Sequence, residues 1–430
     1  MDWLLILILL VAVYAAIAFV IHRNKLWEEH IVFYGPIMAI RTNRVAFFDK
    51  FIPLRTFFRI YGTAGVIAVI IVSVFITVML FISIRYTLIV QPEPTGIYKP
   101  QNILLLPGVN EYVPSTFAVW LAFIITIVVH EFGHAILCRV EGIKVRTMGA
   151  LIAVIPIGFF VEPDEEELEK MQGMPKVRMF GAGITNNLVV GFSCFVLLIL
   201  CMGLVSPLAS PVVEGIYKDY PAEKAGIPPG SLVTAINGVP VSSRGDVSNF
   251  LNTTKPGETI TITAENNNGV KEYPLTLAAW PPEYSNATSG FLGVQYYDGE
   301  TVKTAIGGML SPIGFFQFLV VPFASDTGLQ YLRIMAFETP ETSYYKVPFE
   351  GFWGLIHLLF WCAWININVG IFNAIPMVPL DGGYIFKEGV DRLLDRRGLL
   401  KYSSYVTGAV SYLMLVVLIS LIALPYILHI

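Results

Sequence analysis

Three ionisable residues stand together in one of the most apolar stretches of the chain. The segment FIITIVVHEFGHAILCRV (residues 123–140) contains His130, Glu131 and His134. Positions i and i+4 lie on one face of an α-helix, so both imidazoles can point at a single atom. Two neutral imidazoles favour zinc, and the intervening glutamate can reach a zinc-bound water without being a ligand. The alternative is a chance match, which is expected in fewer than about one in a hundred such sequences.

A catalytic zinc needs a third protein ligand and an open position for water. Acidic residues are nearly absent from the apolar runs, and Asp381 is the candidate, at the end of the apolar part of NVGIFNAIPMVPLDGGYIF (368–386). The alternative is that Asp381 caps the end of a helix. Gly382 and Gly383 fit either interpretation, because glycine permits a close backbone approach or a sharp turn.

The composition is that of an integral membrane protein. Hydrophobic residues make up 55% of the 430-residue chain and charged residues only 14%, whereas soluble domains are about one quarter charged. The net charge of −4 and the lack of a basic stripe argue against nucleic-acid binding. The four cysteines lie in or beside apolar segments, and we expect them to pack as small apolar residues.

Six apolar runs are long enough to cross a bilayer of ~30 Å. They lie at about 3–21, 63–84, 116–138, 180–205, 354–380 and 404–428. The first is expected to be an uncleaved anchor, because no basic residue precedes it and Arg23 and Lys25 follow it.

Lysine and arginine are concentrated in three loops. Loops 22–62, 139–179 and 384–403 hold seven, six and five of them, whereas loop 85–115 holds two. The positive-inside rule therefore places the three basic loops in the cytoplasm and both termini outside. His130 lies about 14 residues, or ~21 Å, into its span. The metal site is therefore predicted toward the cytoplasmic side, with residues 206–300 outside.

Residues 206–300 differ in composition from the rest of the chain. Alternating segments such as ETITITAEN and the hairpin signal Asn237-Gly238 predict a compact, mostly β soluble domain. The later segment AIGGMLSPIGFFQFLVVPF (305–323) is apolar enough for another span. Its glycines and prolines suit a straight helix poorly, so we predict an interfacial or re-entrant segment.

The predicted fold is a polytopic α-helical membrane protein of about six transmembrane helices plus re-entrant segments, with an inserted, mostly β domain. Its predicted parts are N-terminal helices and loops (1–115), the first half of a catalytic membrane core (116–205), the extracytoplasmic domain (206–300), the interfacial or re-entrant segment with an outer loop (301–353), and the second half of the core with the last helix (354–430).

Two motifs in this order resemble the site-2 protease family of intramembrane zinc metalloproteases, and its archaeal members most closely. They are HEFGH and a later N-x-x-P-x-x-x-L-D-G, formed by Asn373, Pro376, Leu380, Asp381 and Gly382. A third family element, a helix beginning A-G-P-x-x-N, is matched approximately by AGITNN (182–187), where Ile184 replaces the proline. The spacing points to Asn187, with Asn186 as its competitor. Residues 149–168 are similar to the family's membrane-entering β-hairpin loop.

This resemblance implies roles for particular residues. His130, His134 and Asp381 would be the zinc ligands, Glu131 would be the general acid and base, and Asn373 would contact the substrate backbone. Taken alone, Asn373 is equally well explained as a buried, hydrogen-bonded polar residue.

The β domain resembles a PDZ-like module. PAEKAGIPPGSLVTAINGVPV (221–241) matches the stretch from the PDZ helix through the following strands. The loop Gly290, Phe291, Leu292 and Gly293 resembles the carboxylate-binding loop, as placed in circularly permuted versions. Such a loop gathers backbone N–H groups around a chain terminus. The alternative is an inert spacer.

The expected function is intramembrane zinc proteolysis of membrane-spanning proteins or peptides within the lipid bilayer, in regulated proteolysis or signal-peptide removal. The PDZ-like domain would then filter or recognise substrates that have already been trimmed. One rival is a non-catalytic zinc-binding membrane scaffold whose PDZ-like domain recruits partners. A second is a metal transporter, which would favour several weak sites along a path. A non-catalytic scaffold would have no role for Glu131, because it needs no general base.

Overall fold

A computed structural model describes residues 3–266, 269–282, 285–326, 329–337 and 344–429. The chain divides into two compact units. We call Met1–Phe195 with Leu358–Ile430 the membrane unit, and Val196–His357 the inserted unit.

The described residues form twelve α-helices. They are α1 (Trp3–Arg23), α2 (Arg55–Val90), α3 (Phe117–Glu141), α4 (Glu165–Lys170), α5 (Met174–Gly203), α6 (Pro221–Ala225), α7 (Arg244–Leu251), α8 (Gly299–Gly307), α9 (Pro312–Val320), α10 (Phe352–Asn373), α11 (Asp381–Asp395) and α12 (Ser403–Ile427).

Five of these helices are long and apolar enough to cross a membrane. They are α2, which continues the 3₁₀ turn Ala46–Leu54, together with α3, α5, α10 and α12. Over its described residues, α1 contributes a shorter apolar helix, Ile8–Arg23. The predicted class of polytopic helical membrane protein is confirmed.

The apolar run at 354–380 does not form one continuous helix, although its uniform hydropathy suggested that it would. Helix α10 ends at Asn373, and residues 374–380 form a turn-rich connection before α11. Pro376 and Pro379 in this connection have no N–H to donate to a helical ladder. Asp381 therefore starts a separate helix, α11, whose N-cap position is occupied by Leu380.

Helix α3 has clear end signals. The side chain of Thr116 accepts a hydrogen bond from the Val119 N–H, which caps the first turn. Gly142 ends the helix at a φ of +93°, the left-handed conformation that glycine adopts without strain. These caps set where α3 begins and ends, and the helical spacing places His130 and His134 on one face of it.

Twelve strands lie in the described residues. They are β1 (Ile31–Tyr34), β2 (Ile37–Thr42), β3 (Val145–Ala153), β4 (Ile155–Pro163), β5 (Ser206–Pro207), β6 (Val213–Ile216), β7 (Leu232–Ile236), β8 (Val239–Pro240), β9 (Thr259–Asn266), β10 (Gly269–Thr276), β11 (Val294–Tyr296) and β12 (Tyr345–Lys346).

Strands β1 to β4 form one antiparallel sheet in the membrane unit, in the order β1-β2-β3-β4. The β3–β4 hairpin lies in the segment identified as hairpin-like from sequence, whereas β1 and β2 were not predicted. Gly149 of β3 pairs with Arg41 of β2, and an added Cβ would lie 2.2 Å from the Ile40 carbonyl oxygen. Glycine at 149 thus lets the two hairpins join.

The inserted unit contains the PDZ-like domain. Its main sheet has the order β10-β9-β7-β8, and β11 pairs with β6 beside it. Asn237 and Gly238 have φ values of +49° and +76° and join β7 to β8, so the predicted hairpin turn is confirmed. The domain closes over a core that includes the fully buried Ile236 and Ile262.

The segment 305–323 is bent. Residues Gly299–Leu310 and Pro312–Ala324 meet at 113°, and Pro312 opens the second helix. Ile313 and Phe316 on α9 are 75% and 52% exposed. The bend fits the predicted interfacial or re-entrant segment, whose depth in the bilayer stays a prediction.

Candidate metal centre

Two histidines and one aspartate converge on a single point in the membrane unit. The Nε2 atoms of His130 and His134 lie 3.2 Å apart. Oδ2 of Asp381 lies 3.1 Å from the first and 3.3 Å from the second. Ligand atoms bonded at about 2.0–2.1 Å to a tetrahedral zinc are separated by about 3.3 Å. The triangle therefore has the size that a zinc ion requires.

The donor chemistry also fits a cation. Nδ1 of His134 lies 2.9 Å from the carbonyl oxygen of Met179, which can only accept a hydrogen bond. The proton of a neutral His134 ring is therefore on Nδ1, and the Nε2 lone pair faces the triangle. Oδ2 of Asp381 is buried and receives no well-aligned hydrogen bond from the described residues. The two Nε2 lone pairs and the carboxylate oxygen face one another at distances that suit the binding of a metal ion.

Asn187 sets the orientation of the other imidazole. Its side chain is completely buried, and its amide nitrogen Nδ2 lies 3.1 Å from Nδ1 of His130. Binding of a metal at Nε2 leaves the ring proton on Nδ1, and the amide must then turn over so that its oxygen replaces Nδ2 and accepts that proton. That orientation also gives a donor to Asn187 Oδ1, which otherwise lacks a partner among the described residues.

Asn186 points elsewhere. Its Oδ1 accepts a hydrogen bond from the Tyr61 hydroxyl at 2.7 Å, and its Nδ2 donates to the Val129 carbonyl at 3.0 Å. Asn186 therefore braces the backbone of α3 one residue before His130. Of the two competing asparagines, Asn187 is the one in contact with the triangle.

Gly183 of α5 leaves the space that the imidazoles occupy. A Cβ built at this position would lie 2.5 Å from His134 Nε2 and 2.7 Å from His130 Nε2. Sequence reasoning identified neither Gly183 nor the Met179 carbonyl as part of the site. Glycine and backbone atoms carry no side-chain chemistry that a motif could reveal. The match of AGITNN (182–187) was the available signal, because it contains Gly183.

Glu131 lies beside the triangle and contacts the sheet. Its Oε2 accepts a hydrogen bond from the Val161 N–H of β4 at 3.1 Å. A cavity of about 320 Å³ opens between α3 and the sheet, and its lining is almost wholly apolar. It is lined by Glu131 together with Val128, Phe132, Met148, Phe159 and Phe160, among others.

Asn373, expected to contact substrate, is the last residue of α10 and is half-buried. Its Nδ2 donates to the Val369 carbonyl one turn earlier, at 3.0 Å. This intrahelical bond matches the alternative of a satisfied polar residue. The substrate role of Asn373 stays a prediction.

The loop Gly290–Gly293 joins the core of the PDZ-like domain. The N–H groups of Gly290 and Phe291 donate to the Thr254 and Ala278 carbonyls. Gly293 adopts a φ of +81°. Two of the expected anion-binding N–H groups are therefore engaged inside the domain, so a bound chain terminus would depend on those of Leu292 and Gly293.

This site and its helical setting define a class, that of membrane metalloproteases built on an H-E-x-x-H helix. A model of peptidase family M50 matches residues 118–419, which contain the whole triangle. The chain belongs to this family, the site-2 protease family.

Named relatives agree with the assignment to a metalloprotease family. The zinc metalloprotease RasP of Shouchella clausii is 28% identical over 228 residues, which cover 49% of this chain and 50% of that protein. A Clostridium acetobutylicum protein, named provisionally as a zinc metalloprotease, is 26% identical over 62% of this chain and 84% of its own length. An uncharacterised protein of Methanocaldococcus jannaschii is 22% identical over 85% of this chain and 80% of its own length.

Among solved structures, the chain is similar to the PDZ domain of an SdrC-like protein from Listeria innocua. The identity is 24%, and the match covers 21% of this chain and 94% of that domain, with a TM-score of 0.18.

Proposed function

We propose that this protein is an intramembrane zinc endopeptidase that cleaves membrane-spanning proteins or peptides. The observation that carries the proposal is the triangle of ligand atoms, with sides of 3.1, 3.2 and 3.3 Å, beside the carboxylate of Glu131. His130, His134 and Asp381 would hold the ion. Bound zinc would supply acidity to a water and polarise the scissile carbonyl.

Glu131 is the proposed general base and acid. It takes a proton from the water as the new C–O bond forms, and it gives that proton to the leaving nitrogen as the C–N bond breaks. The hydrogen bond from the Val161 N–H holds the carboxylate at the edge of the sheet.

Strand β4 is the proposed support for the substrate. A helical substrate hides its carbonyl groups in i→i−4 hydrogen bonds, so it must unwind before attack. One edge of β4 is paired with β3, and on its other edge the Val161 N–H faces Glu131. An extended segment added along this edge would pass the general base, with the apolar cavity available for one of its side chains.

We further propose that the metal site opens toward the cytoplasm and that the PDZ-like domain lies on the opposite side. The basic loops 22–62, 139–179 and 384–403 support this orientation. On that side the domain would meet substrates first and admit those with a newly trimmed end. Membrane-tethered regulators and leftover signal peptides are the candidate substrates.

The deciding experiment compares wild type with Glu131→Gln, purified in detergent or liposomes and given a transmembrane peptide. We expect the variant to keep its zinc and to lose about 10²–10⁴-fold in cleavage rate, the contribution typical of a positioned general base. Glu169→Gln is the matched control, because Glu169 is exposed on α4. Its rate should equal that of wild type.

Other outcomes favour the rivals. If wild type binds zinc but cleaves no member of a broad panel of transmembrane peptides, the scaffold is the better account. If zinc crosses liposome membranes and the Glu131→Gln variant transports it at the same rate as wild type, the metal transporter is the better account.

A further inference from the structure

We propose that Glu388 is a positioning residue for the metal centre, because it fixes the helix that carries Asp381 against the helix that orients both histidines. The proposal rests on the proposed zinc site. It concerns a residue 215 positions away in sequence from its main contact, outside every motif of the site.

Glu388 is a buried carboxylate on α11. It is 9% exposed and lies two helical turns after Asp381, or about 10 Å along the axis. Glutamate is rarely buried unless it is paired, since desolvation of its charge is unfavourable. Its burial therefore indicates a specific structural contact.

That contact is with the start of α5. Oε1 of Glu388 accepts a hydrogen bond from the Gly173 N–H at 2.6 Å, one residue before α5 begins. Its other oxygen lies 3.8 Å from Nζ of Lys176, in the first turn of α5. The carboxylate thus joins the backbone of one helix to the side of the other.

The two helices continue this contact toward the metal site. The rings of Phe180 on α5 and Tyr384 on α11 stack with centroids 4.7 Å apart and planes at 12°. Beside this pair of rings, an added Cβ on Gly181 would lie 3.7 Å from Ile385. Residue numbers rise along α5 as they fall along α11, so the helices run antiparallel from Glu388 to Asp381.

Both ends of this helix pair matter for the triangle. Helix α5 orients His134 through Met179 and His130 through Asn187, and α11 supplies Asp381. A shift of α11 along α5 would move Oδ2 of Asp381 relative to both imidazoles. Because metal affinity depends on ligand positions held by outer contacts, Glu388 acts on the metal through Asp381.

The test uses full-length protein and three variants at this position. Glu388→Gln keeps the length and the acceptor for the Gly173 N–H. Glu388→Asp keeps the charge but shortens the side chain. Glu388→Ala removes both the charge and the hydrogen-bond acceptor. Zinc affinity is measured by competition with a chromophoric chelator, alongside thermal unfolding and the kcat and KM for a transmembrane peptide. Asp395→Ala, an exposed carboxylate on the same helix, is the matched control.

We expect the Ala and Asp variants to bind zinc about tenfold more weakly or worse, the loss typical of outer-contact mutations. Their kcat should fall with little change in KM, and Gln should restore most of the affinity. Equal losses for Gln and Ala would overturn the proposal, as would lower thermal stability with unchanged zinc affinity in all three variants. If wild type binds zinc but cleaves nothing, the protease proposal fails, and the affinity series still decides the role of Glu388.

Discussion

Gly183 shows how closely the two imidazoles and α5 fit together. The helix passes so near the rings that a single added carbon would fall within 2.7 Å of three ring atoms. Real Cβ contacts are never this short, so the rings, and with them the lone pairs of the triangle, would have to move.

Gly183→Ala should therefore weaken zinc binding by about tenfold or more, because a displaced ring loses its bonding geometry. Chelator competition measures the affinity, and peptide cleavage should fall with it. Gly203→Ala is the control on the same helix, since a Cβ there meets nothing within 4 Å. Wild-type zinc affinity in Gly183→Ala would show that the rings can adjust.

At this scale, the sequence predicted the three side chains that converge in the structure. H-E-x-x-H spacing selected His130 and His134, the scarcity of acidic residues in the apolar runs selected Asp381, and the structure brings these three together. Of the outer contacts, Asn187 was indicated by AGITNN, whereas two others could not be predicted. Met179 contributes only a carbonyl oxygen, and Glu388 stands apart from any motif.

Among the elements, α11 connects the metal centre with the last membrane helix. Asp391 accepts hydrogen bonds from Lys387 on its own helix and from Ser403 at the start of α12. Partial burial opposes ionisation of Asp391, but these hydrogen bonds outweigh it and lower the pKa of its carboxyl group.

This shift predicts a pH dependence at the junction of α11 and α12. With a lowered pKa in the folded state, ionised Asp391 stabilises the fold above its ordinary pKa of about 3.9, and the gain is lost as pH falls through the folded value. Asp391→Asn should unfold at a lower temperature than wild type at pH 7, with a gap that narrows below about pH 4. Asp395→Asn, on the exposed end of α11, is the control substitution. A difference in unfolding temperature between Asp391→Asn and wild type that stays constant with pH would contradict the assignment.

The elements were predictable where one local pattern determines them. Apolar runs located α2, α3, α5 and α12, and the Asn237-Gly238 turn located a hairpin. The boundary of α10 was wrong because hydropathy does not register the missing N–H groups of prolines. Strands β1 and β2 were missed since they are short and β3, which joins their hairpin to the rest of the sheet by pairing with β2, lies far along the chain.

The whole molecule is a membrane unit interrupted in sequence by the inserted unit. The chain leaves the membrane unit at Phe195 and returns at Leu358. Helices α5 and α10 meet just inside these points, where an added Cβ on Gly191 would lie 2.7 Å from Ile367. The ends of the insertion are therefore held near each other by the membrane unit itself.

Replacing residues 211–295 with a short flexible linker should leave cleavage of pre-trimmed substrates intact and increase cleavage of untrimmed ones. The physical reason is that the proposed filter is gone while the metal centre remains. Gel analysis of both substrates measures the ratio of the two rates. The same deletion combined with Glu131→Gln should cleave neither, and an unchanged ratio in the deletion alone would reject the filter.

The sheet of the membrane unit also constrains how the protein is made. Strand β2 can pair with β3 only after residues 43–144, which include all of α2 and α3, have been synthesised. Until then the edge of β2 has unpaired backbone groups, and such edges recruit other strands. During this stage of translation the nascent chain can therefore pair β2 with an incorrect strand.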